Sequence, residues 1–171
     1  LENIKKAKYI SEIYQRLIKS PCVLRIYDNN KEMYSFALKR LNQNDKNEVV
    51  VFDEFLTDEF EVYLPSSSKR EFENTISFEK ILNRTNKLTF YSEIYTKTFI
   101  LKYQKIYQKS KELLEKPIWY DESRSKMIYE LYKNMVNLRI KIEKTNLISE
   151  RVKCNQEIKE ILKKMEEIGG I

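Results

Sequence analysis

Cys22-Val23-Leu24-Arg25-Ile26-Tyr27 is followed by Asp28-Asn29-Asn30-Lys31 and then by Met33-Tyr34-Ser35-Phe36-Ala37-Leu38. The first run is rich in β-branched and aromatic side chains, the second has turn chemistry, and in the third Tyr34, Phe36 and Leu38 alternate against Ser35 and Lys39. Together they predict a β-hairpin. Downstream, a second polar turn from Asn42 to Asn47 precedes Val49-Val50-Val51-Phe52, and Glu61-Val62-Tyr63-Leu64 offers a fourth short strand. Four such strands form a small antiparallel meander, marginal by itself, so helices must cover at least one face.

Helical spacing flanks this sheet on both sides. Upstream, Ile10, Ile13, Tyr14, Leu17 and Ile18 recur at three- and four-residue steps and share one helical face, with Glu12 and Arg16 paired along the outside. Downstream, Phe72, Ile76, Phe78, Ile81 and Leu82 suggest one short helix. Asn86 or Thr89 then opens another that runs to about Leu114. From Asp121 to about Ile168 a long helical pattern carries Ile128, Leu131, Met135, Leu138 and Ile142 at coiled-coil spacing. That seam slips near Lys144-Thr145-Asn146 and resumes at Ile148, Val152, Ile158, Leu162 and Met165, which implies a change in supercoil or a break. The expected fold is α+β: a small antiparallel β-meander packed on helices, then a long helical hairpin or coiled-coil C-terminal arm built from about 89–115 and 121–168. Pro21, Pro65 and Pro117 punctuate the chain, dividing it into an N-terminal helix and meander (1–65), a helical cover (66–116) and the C-terminal helix (117–171).

Composition excludes much chemistry. The 171 residues include no histidine, and both glycines, Gly169 and Gly170, stand in the last three positions. Phosphate-cradling glycine loops, dinucleotide fingerprints and nucleophile elbows are therefore ruled out, as is the usual general base at neutral pH. Cys22 and Cys154 are the only thiols and make neither a metal motif nor a disulfide framework. No cofactor or metal is expected. No apolar run approaches the length of a membrane span and no signal core follows the first charges, so a cytoplasmic, membrane-free protein is expected. The chain opens with Leu1, which suggests that an upstream part is missing and could supply catalytic residues.

Two segments carry a resemblance. Tyr34-Ser35-Phe36-Ala37-Leu38-Lys39-Arg40-Leu41-Asn42 and Glu150-Arg151-Val152-Lys153-Cys154-Asn155-Gln156-Glu157-Ile158-Lys159 resemble the bacterial family catalogued as domain of unknown function four-three-nine-one. The resemblance spans about Ile10 to Ile168. It implies a short sheet, helices and a charged C-terminal helix, encoded beside helicases and DNA methyltransferases of restriction-modification type. The implied role is accessory, in restriction-modification or phage defence, and no catalytic residue is carried over.

Three functions follow as expectations. The first is a non-catalytic interaction subunit of a DNA-acting helicase or methyltransferase assembly. Its interface would be the C-terminal stripe Leu131, Met135, Leu138, Ile142, Val152, Ile158 and Leu162, with Trp119 at the junction, and its partner a second copy or another subunit. The second is direct nucleic-acid binding. Tyr91, Tyr95, Phe99, Tyr103 and Tyr107 stand four residues apart among lysines, so Lys97, Lys102, Lys105 and Lys109 with Tyr103 and Tyr107 could stack bases and neutralise phosphates. Packing into the core is the competing use of that ridge, and Arg25 and Lys39 of the hairpin would extend it if they share a face. The third is a metal-dependent nuclease, for which Asp28 and Ala37-Leu38-Lys39 are incomplete because an alanine replaces the second carboxylate. The acidic run Asp53, Glu54, Asp58, Glu59 and Glu61 reads as a solvated edge or a docking patch for a basic partner.

Overall fold

The computed structural model describes residues 2–45, 48–64 and 66–170. The expected boundary at Pro65 and part of the turn before Val49 lie outside the described residues. The chain runs α1 (Glu2–Leu17), β1 (Leu24–Tyr27), β2 (Lys31–Leu41), β3 (Val49–Leu56), β4 (Phe60–Glu61), α2 (Ser67–Thr75), α3 (Lys87–Lys102), α4 (Ser110–Leu114), α5 (Glu122–Lys144) and α6 (Ile148–Gly169), with 3-10 turns at Phe78–Lys80, Gln104–Ile106 and Pro117–Tyr120. This is the expected α+β class.

The hairpin forms where its turn chemistry places it. Asp28 accepts the backbone N–H groups of Asn30 (2.9 Å) and Lys31 (2.8 Å) and closes the link between β1 and β2. All pairings are antiparallel, in the order β1-β2-β3. The fourth strand is only Phe60–Glu61, and it pairs with the start of β2 instead of extending the meander. One irregularity matters later: Leu38 faces Asp53 and Lys39 faces Val51, so Phe52 is the extra residue of a β-bulge.

As the middle strand, β2 is buried on both faces. Met33, Ser35, Ala37 and Lys39 point toward α1, while Glu32, Tyr34, Phe36 and Leu38 point toward α2 and α3. Phe36 is fully buried, stacked on Phe55 at 5.2 Å and edge-on to Phe72 at 6.3 Å. β1 stops at Leu24, opposite Ser35, and leaves the backbone of Ala37 without a partner on that strand. The hydroxyl of Tyr91 on α3 fills that place. It accepts the Ala37 N–H (3.0 Å) and lies within donating distance of the Ala37 (3.0 Å) and Cys22 (3.1 Å) carbonyls. Burial pushes this phenol up, so it stays protonated and able to donate.

Asn86 caps α3 reciprocally: its side chain accepts from Leu88 and Thr89 while the Thr89 hydroxyl accepts the Asn86 N–H. From Thr89 to Leu101 every residue except Phe90 and Ser92 is buried, as befits a central helix. The expected continuation to Leu114 is interrupted, because α3 ends at Lys102 and the chain turns through Gln104–Ile106 into the short α4. Tyr132 of α5 holds that turn, bonded to the Tyr103 carbonyl (3.0 Å) and the Ser110 hydroxyl (2.9 Å), and burial pushes its hydroxyl up to about 12.

The slip in the long seam is a break. Thr145 is extended, its hydroxyl accepts the Leu147 N–H (3.3 Å) and meets Glu150 (2.9 Å), and α6 folds back along α5. A β-branched hydroxyl residue followed by asparagine competes with the helix ladder at this point. The helical hairpin is thus α5 with α6, not 89–115 with 121–168. At its far end Gly170, at φ 63°, takes the left-handed conformation and donates its N–H to the Glu166 carbonyl (3.0 Å), a role suited to glycine. One core joins the sheet, α3 and the hairpin, with Phe36, Tyr95, Trp119, Met135, Ile158 and Met165 all in it.

Candidate interaction surface

The side of α1 that meets the sheet is polar. Ala7, Ser11 and Gln15 are buried, whereas Ile10, Ile13, Tyr14 and Leu17 are exposed, Tyr14 by 52% and Leu17 by 69%. The sheet dictates this orientation. Ser35 bonds the Ser11 hydroxyl (2.6 Å) and accepts from the Gln15 amide at its own hydroxyl (3.0 Å). Lys39 donates to the Gln15 side-chain oxygen (2.9 Å) and to the Gln15 (3.2 Å) and Ile18 (2.8 Å) carbonyls. A buried ammonium and hydroxyl need acceptors more than a neighbouring isoleucine needs cover, because an unpaired buried polar group costs about 1–3 kcal/mol and a charged one more. The apolar stripe of α1 therefore faces solvent, and Val23 and Tyr27 at the first strand are exposed as well.

The lysine–tyrosine ridge does not form one open surface. Tyr91, Tyr95, Phe99 and Tyr107 are buried and Tyr103 is half-buried. Lys97 is buried against Glu93 at 2.6 Å, Lys102 donates to the Leu56 carbonyl (2.5 Å), and Lys109 pairs with Glu166 at 2.9 Å; Lys105 is exposed. Burial lowers the pKa of Lys97, against the opposing pull of Glu93, and lowers that of Lys102 as well. Arg25 and Lys39 do not share a face. Arg25 stands opposite Tyr34 and binds the buried Glu32 (2.5 Å), while Lys39 points the other way, under α1. Glu32 is also paired with Lys69; although burial raises its pKa, the two cations hold the carboxyl below the usual range.

Most of the C-terminal stripe is used within the chain. Met135, Ile158 and Trp119 are buried, and Leu131, Leu138, Ile142 and Leu162 are partly buried against the same core. Val152 is exposed, and with Leu147 and Ile148 it forms an apolar tip at the hairpin turn.

The acidic run is divided between two faces. Asp53 accepts from Tyr129 and from Lys133 (2.7 Å) and ties β3 to α5. Glu61 pairs with Lys31 at 2.5 Å, and Asp58 and Glu59 are exposed. Glu54 faces α1, and one of its carboxylate oxygens is buried with no hydrogen-bond partner among the described residues. Burial, then the negative charge of Glu12, raises its pKa. Such a carboxyl stabilises the fold at low pH and loses that contribution as pH rises through its folded value. Glu54→Gln should therefore be more stable than the parent at pH 7, by about 0.5 kcal/mol for a partly screened charge. The advantage should vanish below about pH 4, where the carboxyl is protonated in both the folded and the unfolded chain; thermal melts at the two pH values measure it. Among the described residues no group of three His, Cys, Asp or Glu side chains stands close enough to hold a metal ion, and no helix is long and apolar enough to cross a membrane.

A sheet clasped between a polar-faced helix and a buried central helix, with a helical hairpin behind, defines a small α+β domain with an apolar stripe exposed on α1. Sequence comparison agrees with the resemblance drawn from Tyr34–Asn42 and Glu150–Lys159. A family model described as Domain of unknown function (DUF4391) matches residues 1–165, and the chain belongs to that family. No curated protein and no solved structure matches it.

Proposed function

We propose that the chain is a non-catalytic interaction subunit of a cytoplasmic DNA-acting assembly of restriction-modification or phage-defence type, docking on a helicase or methyltransferase subunit through α1. The observation that carries this reading is the inverted helix, which hides Ser11 and Gln15 and shows Ile10, Ile13, Tyr14 and Leu17. Contiguous apolar side chains on an otherwise charged surface suit a partner contact. The kind of assembly follows from the family resemblance. Of the C-terminal residues expected as the interface, Val152 is exposed, with Leu147 and Ile148 beside it, whereas the others are buried or partly buried against the core.

The test is Tyr14→Glu with Leu17→Glu. Both side chains are exposed, so the melting midpoint should hold, each change costing within about 0.5 kcal/mol. The parent chain should co-elute on size exclusion with the neighbouring helicase or methyltransferase subunit, and the double variant should elute alone. Co-elution of the folded double variant would remove α1 from the interface.

A further inference from the structure

From 137 to 153 the chain completes α5, turns and begins α6, and no residue of this stretch is buried. Its apex is aliphatic: Leu147 is 59% exposed, Ile148 79% and Val152 51%. Neighbouring aliphatic side chains held in water at a helix turn suit a contact surface.

Bases outnumber acids around that apex. The stretch holds Arg139, Lys141, Lys144, Arg151 and Lys153 against Glu143 and Glu150. Among the described residues none of the five bases forms an ion pair, whereas farther along the hairpin Lys133 holds Asp53 at 2.7 Å and Lys109 holds Glu166 at 2.9 Å. Glu150 is turned to the Thr145 hydroxyl (2.9 Å) instead. Lys141, Lys144, Arg151 and Lys153 are exposed. At about 1.5 Å of rise per residue, all four lie within about 10 Å of the turn along the helix axes. Asn146 and Ser149, also exposed, flank Leu147 and Ile148.

We propose that this hairpin tip binds double-stranded DNA, with its bases on the phosphates and Ile148 inserted as an aliphatic wedge at the minor groove. A duplex presents one phosphate charge about every 1.7 Å of its axis, a density that rewards several unpaired cations held close together. Minor-groove proteins commonly join such cations to an aliphatic wedge that parts two base steps and to polar side chains that read the groove. Here Asn146 and Ser149 stand beside the wedge. Single strands are bound by stacking on aromatic rings, and residues 137–153 contain none. The core of a protein interface is depleted of lysine. A lipid surface would draw Asn146 and Ser149 toward hydrocarbon, with no Trp or Tyr at the apex as an anchor. This contact is independent of the one proposed for α1.

Fluorescence anisotropy of a labelled DNA duplex titrated with the intact chain should saturate at low salt. A fourfold rise in salt should weaken binding about a hundredfold, the counterion release expected for about four phosphates. Lys144→Gln with Arg151→Gln should reduce the salt slope by about two. Ile148→Ser should weaken binding about tenfold at an unchanged slope, the scale of burying one isoleucine. All three positions are exposed, so the melting midpoint should hold. Lys163→Gln with Lys164→Gln, exposed toward the far end of α6, should bind like the parent. The proposal is overturned if the duplex gives no saturation at low salt, or if either tip variant binds like the parent. A single strand or phosphatidylserine vesicles bound as tightly as the duplex would overturn it equally, as would a loss at Lys163 and Lys164 matching the loss at the tip.

Discussion

Glu93→Ala should lower the unfolding free energy by about 3–5 kcal/mol, the usual cost of breaking a buried ion pair from one side. Glu93 and Lys97 lie one turn apart on α3, both buried, with 2.6 Å between their charged atoms. The carboxylate also accepts the Leu82 (2.9 Å) and Asn83 (2.6 Å) N–H groups and fastens the segment leading into α3. Lys97 donates to the Lys80 carbonyl (2.7 Å) and lies 5.4 Å from the Trp119 ring centre. Removing the carboxylate leaves an ammonium in the core and two N–H groups without acceptors. Burial already lowers the Lys97 pKa and Glu93 opposes it, so the variant's lysine releases its proton more easily than the unfolded chain's. The unfolded state then binds more protons, and the variant's deficit should shrink as pH rises toward the ordinary lysine value of about 10.4. Glu93→Leu with Lys97→Met should recover part of the loss, since no charge is then stranded. Urea unfolding of the single and double variants beside the parent measures all of this; a single-site loss below about 1 kcal/mol would deny the pair its structural role.

Phe36→Ala is the second large effect, at about 3–5 kcal/mol for an aromatic deleted from a closed site. Its ring is fully buried, with Phe55 stacked on one side and Phe72 edge-on. These belong to β3 and α2, which are held by the rest of the fold and cannot collapse into the space. Phe52 lies on the adjacent strand but is exposed, so Phe52→Ala should stay within about 0.5 kcal/mol. Chemical denaturation separates the two, and equal losses would mean that the bulge does not lift Phe52 out of the packing.

How far the chain could be read depended on the range of the interactions involved. Asp28 closing its turn and Asn86 opening α3 each satisfy backbone groups within four residues, so their side chains announce them. At Thr145 the spacing shows a slip and leaves open a change in supercoil or a break; the structure, with the Thr145 hydroxyl accepting the Leu147 N–H, decides for the break. The Glu93–Lys97 pair is not read from the sequence, where Lys97 counts as a candidate nucleic-acid contact; it is a buried ion pair instead. Spacing shows only that the two side chains are neighbours; the medium around them comes from Trp119 and the 3-10 turn at Phe78–Lys80, elements distant in sequence.

By itself the sequence determined the α+β class, the hairpin and the family to which the chain belongs. It also determined that Ile10, Ile13, Tyr14 and Leu17 lie together on α1. Only the tertiary structure decided that this stripe faces outward, that the tyrosine ridge faces inward and that the C-terminal stripe closes on its own chain. Periodicity specifies which residues share a side, a property of one helix. Which side is buried depends on what the neighbouring element offers, and beneath α1 the sheet offers Ser35 and Lys39, whose unmet hydrogen bonds outweigh the cover of four apolar side chains.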